Sequence, residues 1–220
     1  MANPTQLPGD LIVPGDVTIT DDISIGGQIT PLLDRDEVLA VTELATFTVP
    51  MSIWREHDDY ATPLDGTPVA DAHLGLVGGT FNTNAPSLQT DDFGGNGAVA
   101  AENFYARGEI VLPWNYVAGQ TVKIRVHGGM LTTVADTTAT VDLQVYKSDE
   151  DSTSTGDLCA TAATTINSLV FADKDFTITA TTLNPGDVLD VLIDVNVEDT
   201  TDAGAMTAVV GSVQLLCDVR

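Results

Sequence analysis

From about Phe104 to the C-terminus, apolar and polar residues alternate in short runs separated by turns. That two-residue period puts successive side chains on opposite faces of a strand. It predicts strands at Phe104–Leu112, Thr121–Met130, Ala139–Lys147, Leu158–Thr161, Phe176–Thr181, Asp187–Val197 and Met206–Val219. The clearest is Asp187–Val197: Leu189, Val191, Ile193, Val195 and Val197 fall on one face, Asp190, Asp194 and Asn196 on the other. Val117-Ala118-Gly119-Gln120 and Asn184-Pro185-Gly186-Asp187 supply turn residues ahead of strands. Strands of this length and spacing predict an all-β fold, an antiparallel jelly-roll sandwich of two sheets with very little helix. The last two strands, joined by the polar stretch EDTTDAGA, read as a hairpin.

Upstream the pattern changes twice. Residues 51–100 are dense in Gly, Asn, Asp and Pro and read as long loops, with a strand near Leu74–Phe81. Residues 31–50 read as a linker, with a short helix over Asp34–Leu44 capped by Asp34 and with Glu37 three residues on. In residues 1–30 Asp10, Asp16 and Asp22 fall six apart, as do Leu11, Val17, Ile23 and Ile29, with Val13, Ile19 and Ile25 as a second apolar set. Pro-Gly-Asp and Asp-Asp turns separate three-residue alternating units, the mark of a β-helix or β-prism coil. About four units are too few for a free-standing solenoid. Three chains wound together would bury Leu11, Val13, Val17, Ile19, Ile23, Ile25 and Ile29; the alternative is an irregular arm lying on a neighbouring surface. The expected organisation is thus an arm at 1–30, a linker at 31–50 and a sandwich at 51–220.

Charge narrows the partners. There are 32 Asp and Glu against 8 Lys and Arg, a net charge of −24. Such a surface repels nucleic acid and anionic membranes; adaptation to salt or resistance to self-association explains it better than a dedicated acidic patch. No apolar run approaches the ~18 residues that span a bilayer. The start, MANPTQLPGD, lacks the basic and apolar regions of a secretory signal. Cys159 and Cys217 form no disulfide framework, and Cys217, in an alternating strand, reads as a buried free thiol; a Cys159–Cys217 bridge is the weaker alternative.

Catalytic chemistry is sparse. His57 lies in WREHDDY, where Arg55, Glu56, Asp58 and Asp59 could form an acid/base or metal site, but no nucleophile and no HExxH spacing accompany it. A solvated loop, with Trp54 and Tyr60 packing at a contact, is the better reading, and a structural role is the better one for His127. Asp149-Glu150-Asp151 and Glu198-Asp199-Thr200-Thr201-Asp202 offer oxygen ligands without calcium-loop spacing, so solvated acidic loops are the better reading, with calcium the lesser alternative, and no metal site and no cofactor is expected. Trp54 and Trp114 are also candidates for a sugar-binding face, against packing as the plain alternative.

The stretches TPLDGTPVADAHLGLVGGTFNTNAPSLQT, LPWNYVAGQTVKIRVHGGMLTTVADTTATVDLQVYK, DLCATAATTINSLVFADKDFTITATTLNPGDVLDVLIDV and GSVQLLCDVR resemble structural proteins of tailed bacteriophages, above all capsid decoration (cement) proteins. The hexads are similar to PGDLTV-type repeats of trimeric phage fibres and capsid-bound spikes. The resemblance implies a jelly-roll homotrimer without enzymatic activity that binds the major capsid protein on the outside of an icosahedral virion, assembled in a host cytoplasm, and touches neither nucleic acid nor membrane. A fibre or receptor-binding module, with carbohydrate as one ligand, is the alternative; it predicts an exposed aromatic or a calcium site in the loops of residues 54–105. A small glycan hydrolase comes last, since nothing selects a carboxylate pair.

Overall fold

The computed structural model describes residues 44–91, 100–132, 137–148, 153–199 and 206–220. The hexad positions Leu11, Val13, Val17, Ile19, Ile23, Ile25 and Ile29, the acidic stretch 149–151 and all but Leu44 of the expected helix lie outside them.

Ten strands follow in order: β1 Ala45–Val49, β2 Gly75–Val77, β3 Ser87–Gln89, β4 Ala100–Val111, β5 Val122–Met130, β6 Thr137–Lys147, β7 Thr164–Thr165, β8 Ala172–Ile178, β9 Val188–Asp199 and β10 Ala208–Cys217. A single 3₁₀ turn at Met51–Ile53 is the helical content of the described residues. One sheet runs β2-β3-β10-β5-β8, with β1 pairing the same edge of β10 as β3, further along. The other runs β4-β9-β6-β7. All ladders are antiparallel, and the protein is an all-β jelly-roll sandwich.

The alternation accounts for the core. Along β9 the odd-numbered residues Leu189 to Val197 are buried, and across the ladders they meet Ile110, Gly108, Ala106 and Phe104 of β4 and Val145, Leu143, Val141 and Ala139 of β6. Ile124, Val126, Phe176, Val213 and Leu215 of the facing sheet join them in one apolar cluster. Each fully buried aliphatic or aromatic side chain adds roughly 1.5–3 kcal/mol of transfer free energy.

Three expectations need correction. β9 and β10 do not form a hairpin: β9 is flanked on both edges by β4 and β6, so β10 pairs in the opposite sheet with β5, β1 and β3. Leu158–Thr161 is not a strand but a single bridge, Cys159 to Ile178. There Asp157 Oδ1 accepts from the N–H groups of both Val145 and Cys159 at 2.9 Å, and the carboxylate takes the place of a ladder. The stretch 31–50 read as linker contains β1, whose ATFTV alternation is too short to stand out without β10 beside it.

The outer face of the first sheet carries an ionic ladder. Arg125 makes a two-pronged contact with Asp175 (2.7 and 3.1 Å) and lies 3.6 Å from Asp173, while His127 Nδ1 sits 2.7 Å from Asp173. The Arg125 guanidinium holds the Asp175 carboxyl below the usual range. His127 is thus a cross-strand partner on this outer face. Cys217 is a buried free thiol and Cys159 a half-buried one.

Candidate functional site

The outer face of the four-stranded sheet is where side chains without a core role collect. Register fixes their layout as rows across β4, β9 and β6. The first row is Glu109, Asp190, Tyr146; the second Arg107, Leu192, Gln144; the third Tyr105, Asp194, Asp142; the fourth Asn103, Asn196, Thr140. Strands lie about 4.8 Å apart and alternate residues about 6.8 Å along a strand, so the backbone positions of Tyr105 and Tyr146 are about 17 Å apart across the grid.

The free edge of β4 is lined by the loop of residues 54–74. Arg55 and Arg107 exchange backbone hydrogen bonds of 2.8 and 3.1 Å, and the Leu74 N–H donates to the Tyr105 carbonyl at 2.8 Å. Trp54 anchors this loop. Its indole is buried between the sheets against Gly108, where a Cβ would stand 2.9 Å from the ring, so only glycine leaves room for it. One residue on, Arg55 returns to the outer side, and His57 and Tyr60 come to lie beside the face.

Three interactions set the chemistry there. Arg107 is bound two-pronged by Asp190, with Nε 2.8 Å from Oδ1, and its guanidinium lies 5.1 Å from the Tyr60 ring centroid. That pairing keeps the guanidinium charged and its plane fixed. Tyr60 is 37% exposed. His57 stacks on Tyr105 at 4.6 Å between centroids, with the rings tilted by 42°. Asn196 Nδ2 donates to Asn103 Oδ1 at 3.1 Å, and the Tyr146 hydroxyl donates to Gln144 Oε1 at 3.1 Å.

Asp194 sits at the centre of the third row, with Tyr105 on one side and Asp142 directly opposite on the other. Burial first, and then the like charge of Asp142, push its carboxyl up to about 6. Its Oδ1 and the Nδ1 of His57 are buried atoms without a hydrogen-bond partner among the described residues. The phenols of Tyr60 and Tyr105 are raised as well, by burial and then by Glu109 and Asp190 in the first case and by Asp194 in the second.

The WREHDDY cluster is therefore divided. Trp54 is core; Arg55, His57 and Tyr60 reach the face; Glu56 lies 3.6 Å from His73 Nε2; Asp59 closes its own turn by accepting from the Ala61 N–H and the Thr62 hydroxyl. Asp58 is exposed. No group of three or more His, Cys, Asp or Glu able to hold a metal occurs among the described residues. Trp114 is 85% exposed and lies over Gly186 (φ +83°) at the end of the sandwich, away from Trp54, so the two tryptophans do not share a face. A second apolar feature is a groove of about 190 Å³ between β1 and β4, lined by Phe47, Val49, Ile53, Ile110, Val111 and Leu215. Sequence reasoning missed Tyr105, Arg107, Gln144 and Tyr146. Asp190, Asp194 and Asn196 were legible as the polar side of β9, but what stands beside them depends on the register of β4 and β6.

No family model matches this chain, and no curated protein matches it. Among solved structures it is similar to the CBM22-2 xylan-binding domain of Paenibacillus barcinonensis Xyn10C, at 15% identity over 79% of this chain and 99% of that one (TM-score 0.42). It is similar to TmCBM61 in complex with β-1,4-galactotriose, at 13% identity over 76% and 90% (TM-score 0.39). It is also similar to the enzymatically active domain of tailspike protein 4 of bacteriophage CBA120, at 14% identity over 76% of this chain but 20% of that one (TM-score 0.36). At this distance the likeness assigns no ligand to this chain.

Proposed function

We propose that the protein is a non-catalytic carbohydrate-binding module whose ligand lies on the outer face of the β4-β9-β6-β7 sheet. The observation that carries this reading is the grid itself: Tyr60, Tyr105 and Tyr146 interleaved with Asn103, Gln144, Asn196, Arg107 and Asp190 on a half-exposed, regular sheet surface. A sugar ring offers an apolar C–H side and a rim of hydroxyls. Tyrosine rings match the first, and planar amides, a fixed guanidinium and carboxylates match the second. Rigid strands set these groups in advance, which lowers the ordering cost of binding. In this setting Asp142 and Asp194 orient hydroxyls.

The test is affinity gel electrophoresis of the full chain through a panel of soluble neutral polysaccharides, with Kd from calorimetry for those that retard it. Tyr60→Ala and Tyr146→Ala are each expected to weaken binding about tenfold, or about 1.4 kcal/mol, with folding unchanged. Tyr→Phe at the same positions keeps most of the affinity. Alanine variants that bind like the parent would remove the face from consideration.

A second reading, a homotrimeric virion protein decorating a capsid, is favoured by the apolar edge at the β1–β4 groove, where Val111 is 55% and Phe47 37% exposed. Light scattering tests it: the full chain is then expected at the mass of three chains, and a monomer at micromolar concentration contradicts it.

A further inference from the structure

Resting on the carbohydrate-binding reading, we infer the charge class of the ligand: the face takes an uncharged glycan and rejects glycans bearing carboxylates, such as those rich in uronic or sialic acid. The inference comes from what the rows hold. Glu109, Asp190, Asp194, Asp142 and, one step beyond the fourth row on β9, Glu198 project to this side, against Arg55 and Arg107. Arg107 is already occupied by Asp190 through both prongs. A ligand carboxylate arriving there would have to displace a fixed bidentate pair rather than meet a free guanidinium.

The charges around the two phenols act in the same sense. Burial is the first cause that makes both harder to ionise, and Glu109 and Asp190 at Tyr60 and Asp194 at Tyr105 add to it, while Arg55 and Arg107 act the other way at Tyr60. The overall charge of −24 acts the same way over longer distances. A glycan hydroxyl donates to a carboxylate and gains from this field. A glycan carboxylate only accepts, and is repelled.

The experiment uses whichever neutral polysaccharide retards the protein, beside the same polymer with its primary alcohols oxidised to carboxylates, so that backbone and linkage stay constant. At about 20 mM salt the oxidised polymer is expected to bind at least about tenfold more weakly, recovering in part at about 0.5 M, where the screening length falls to a few ångströms. In the D142N/D194N double variant the penalty for the oxidised polymer is expected to shrink severalfold. Asp173→Asn, which removes the same kind of charge from the opposite sheet, leaves the penalty in place. Equal binding of both polymers would overturn the charge selectivity while the glycan site stands. A full penalty in the double variant would assign it to the molecule's overall charge and overturn the role of this face. Binding to neither polymer, nor to any of the panel, would overturn both readings.

Discussion

Replacing Gly108 with valine is expected to lower stability by about 2–4 kcal/mol and to abolish glycan binding, although residue 108 faces the core. A Cβ at this position would lie 2.9 Å from Trp54 Cε3 and 3.3 Å from Ile53 Cδ1, and valine adds two further methyls in the same space. The Trp54 indole is 1% exposed and is part of the apolar core cluster. It must leave the interior, and Arg55 leaves with it, breaking the two backbone hydrogen bonds to Arg107. His57 and Tyr60, which follow on the same loop, then lose their places beside Tyr105 and Arg107. Urea denaturation reads the stability and calorimetry the binding. Gly108→Ala should show a smaller loss of both. A valine variant with unchanged midpoint and unchanged Kd would mean that the Trp54 loop does not depend on this close approach.

The second large effect runs the other way. Asp194→Asn is expected to raise Tm at pH 7 by about 3–6 °C, from about 1–2 kcal/mol. The carboxyl is pushed from its ordinary value of 3.8 to about 6. A group whose folded pKa is raised adds stability that is fully present below its unfolded pKa and is lost as pH rises through the folded value. Ionised Asp194 therefore weakens the fold above about pH 6, and the neutral amide does not. The full shift would correspond to about 3 kcal/mol, and the lower figure allows for solvent screening of a half-buried group. The gap in Tm between the two proteins should close as pH falls from 7 towards 4. Measuring the difference at each pH cancels groups common to both, such as Asp175, whose lowered pKa makes its own contribution fade on acidification. An asparagine variant no more stable than the parent at pH 7 would show that Asp194 is held as a compensated charge.

These two positions also show what the sequence can and cannot reveal. The strict alternation of DVLDVLIDVNV is local, and it marks β9, its buried face and its polar face without knowledge of any neighbour. The site needs a second kind of information. Tyr105 lies opposite Asp194, and Tyr146 opposite Asp190, only because of the registers of β4 and β6, and nothing local fixes a register between residues 89 and 44 positions apart. The same limit misplaced β10: its pattern fits a hairpin with β9 as well as a partner in the other sheet, and the choice is made by β4 and β6 already occupying both edges of β9. Trp54 reads from the sequence as a packing residue at a contact, with no sign of what it packs against. Its burial depends on a glycine 54 residues later in the chain.

The measurement that bears most directly on the central claim is amide chemical-shift mapping of the full chain titrated with a neutral oligosaccharide cut from a polysaccharide that retards it. Shifts are expected to gather on β4, β9 and β6, at Tyr105, Arg107, Gln144, Tyr146, Asp190 and Asp194, and on the loop at Tyr60. Shifts gathered instead around Trp114 or the Arg125–Asp173 ladder would contradict the assignment of the glycan site to this face.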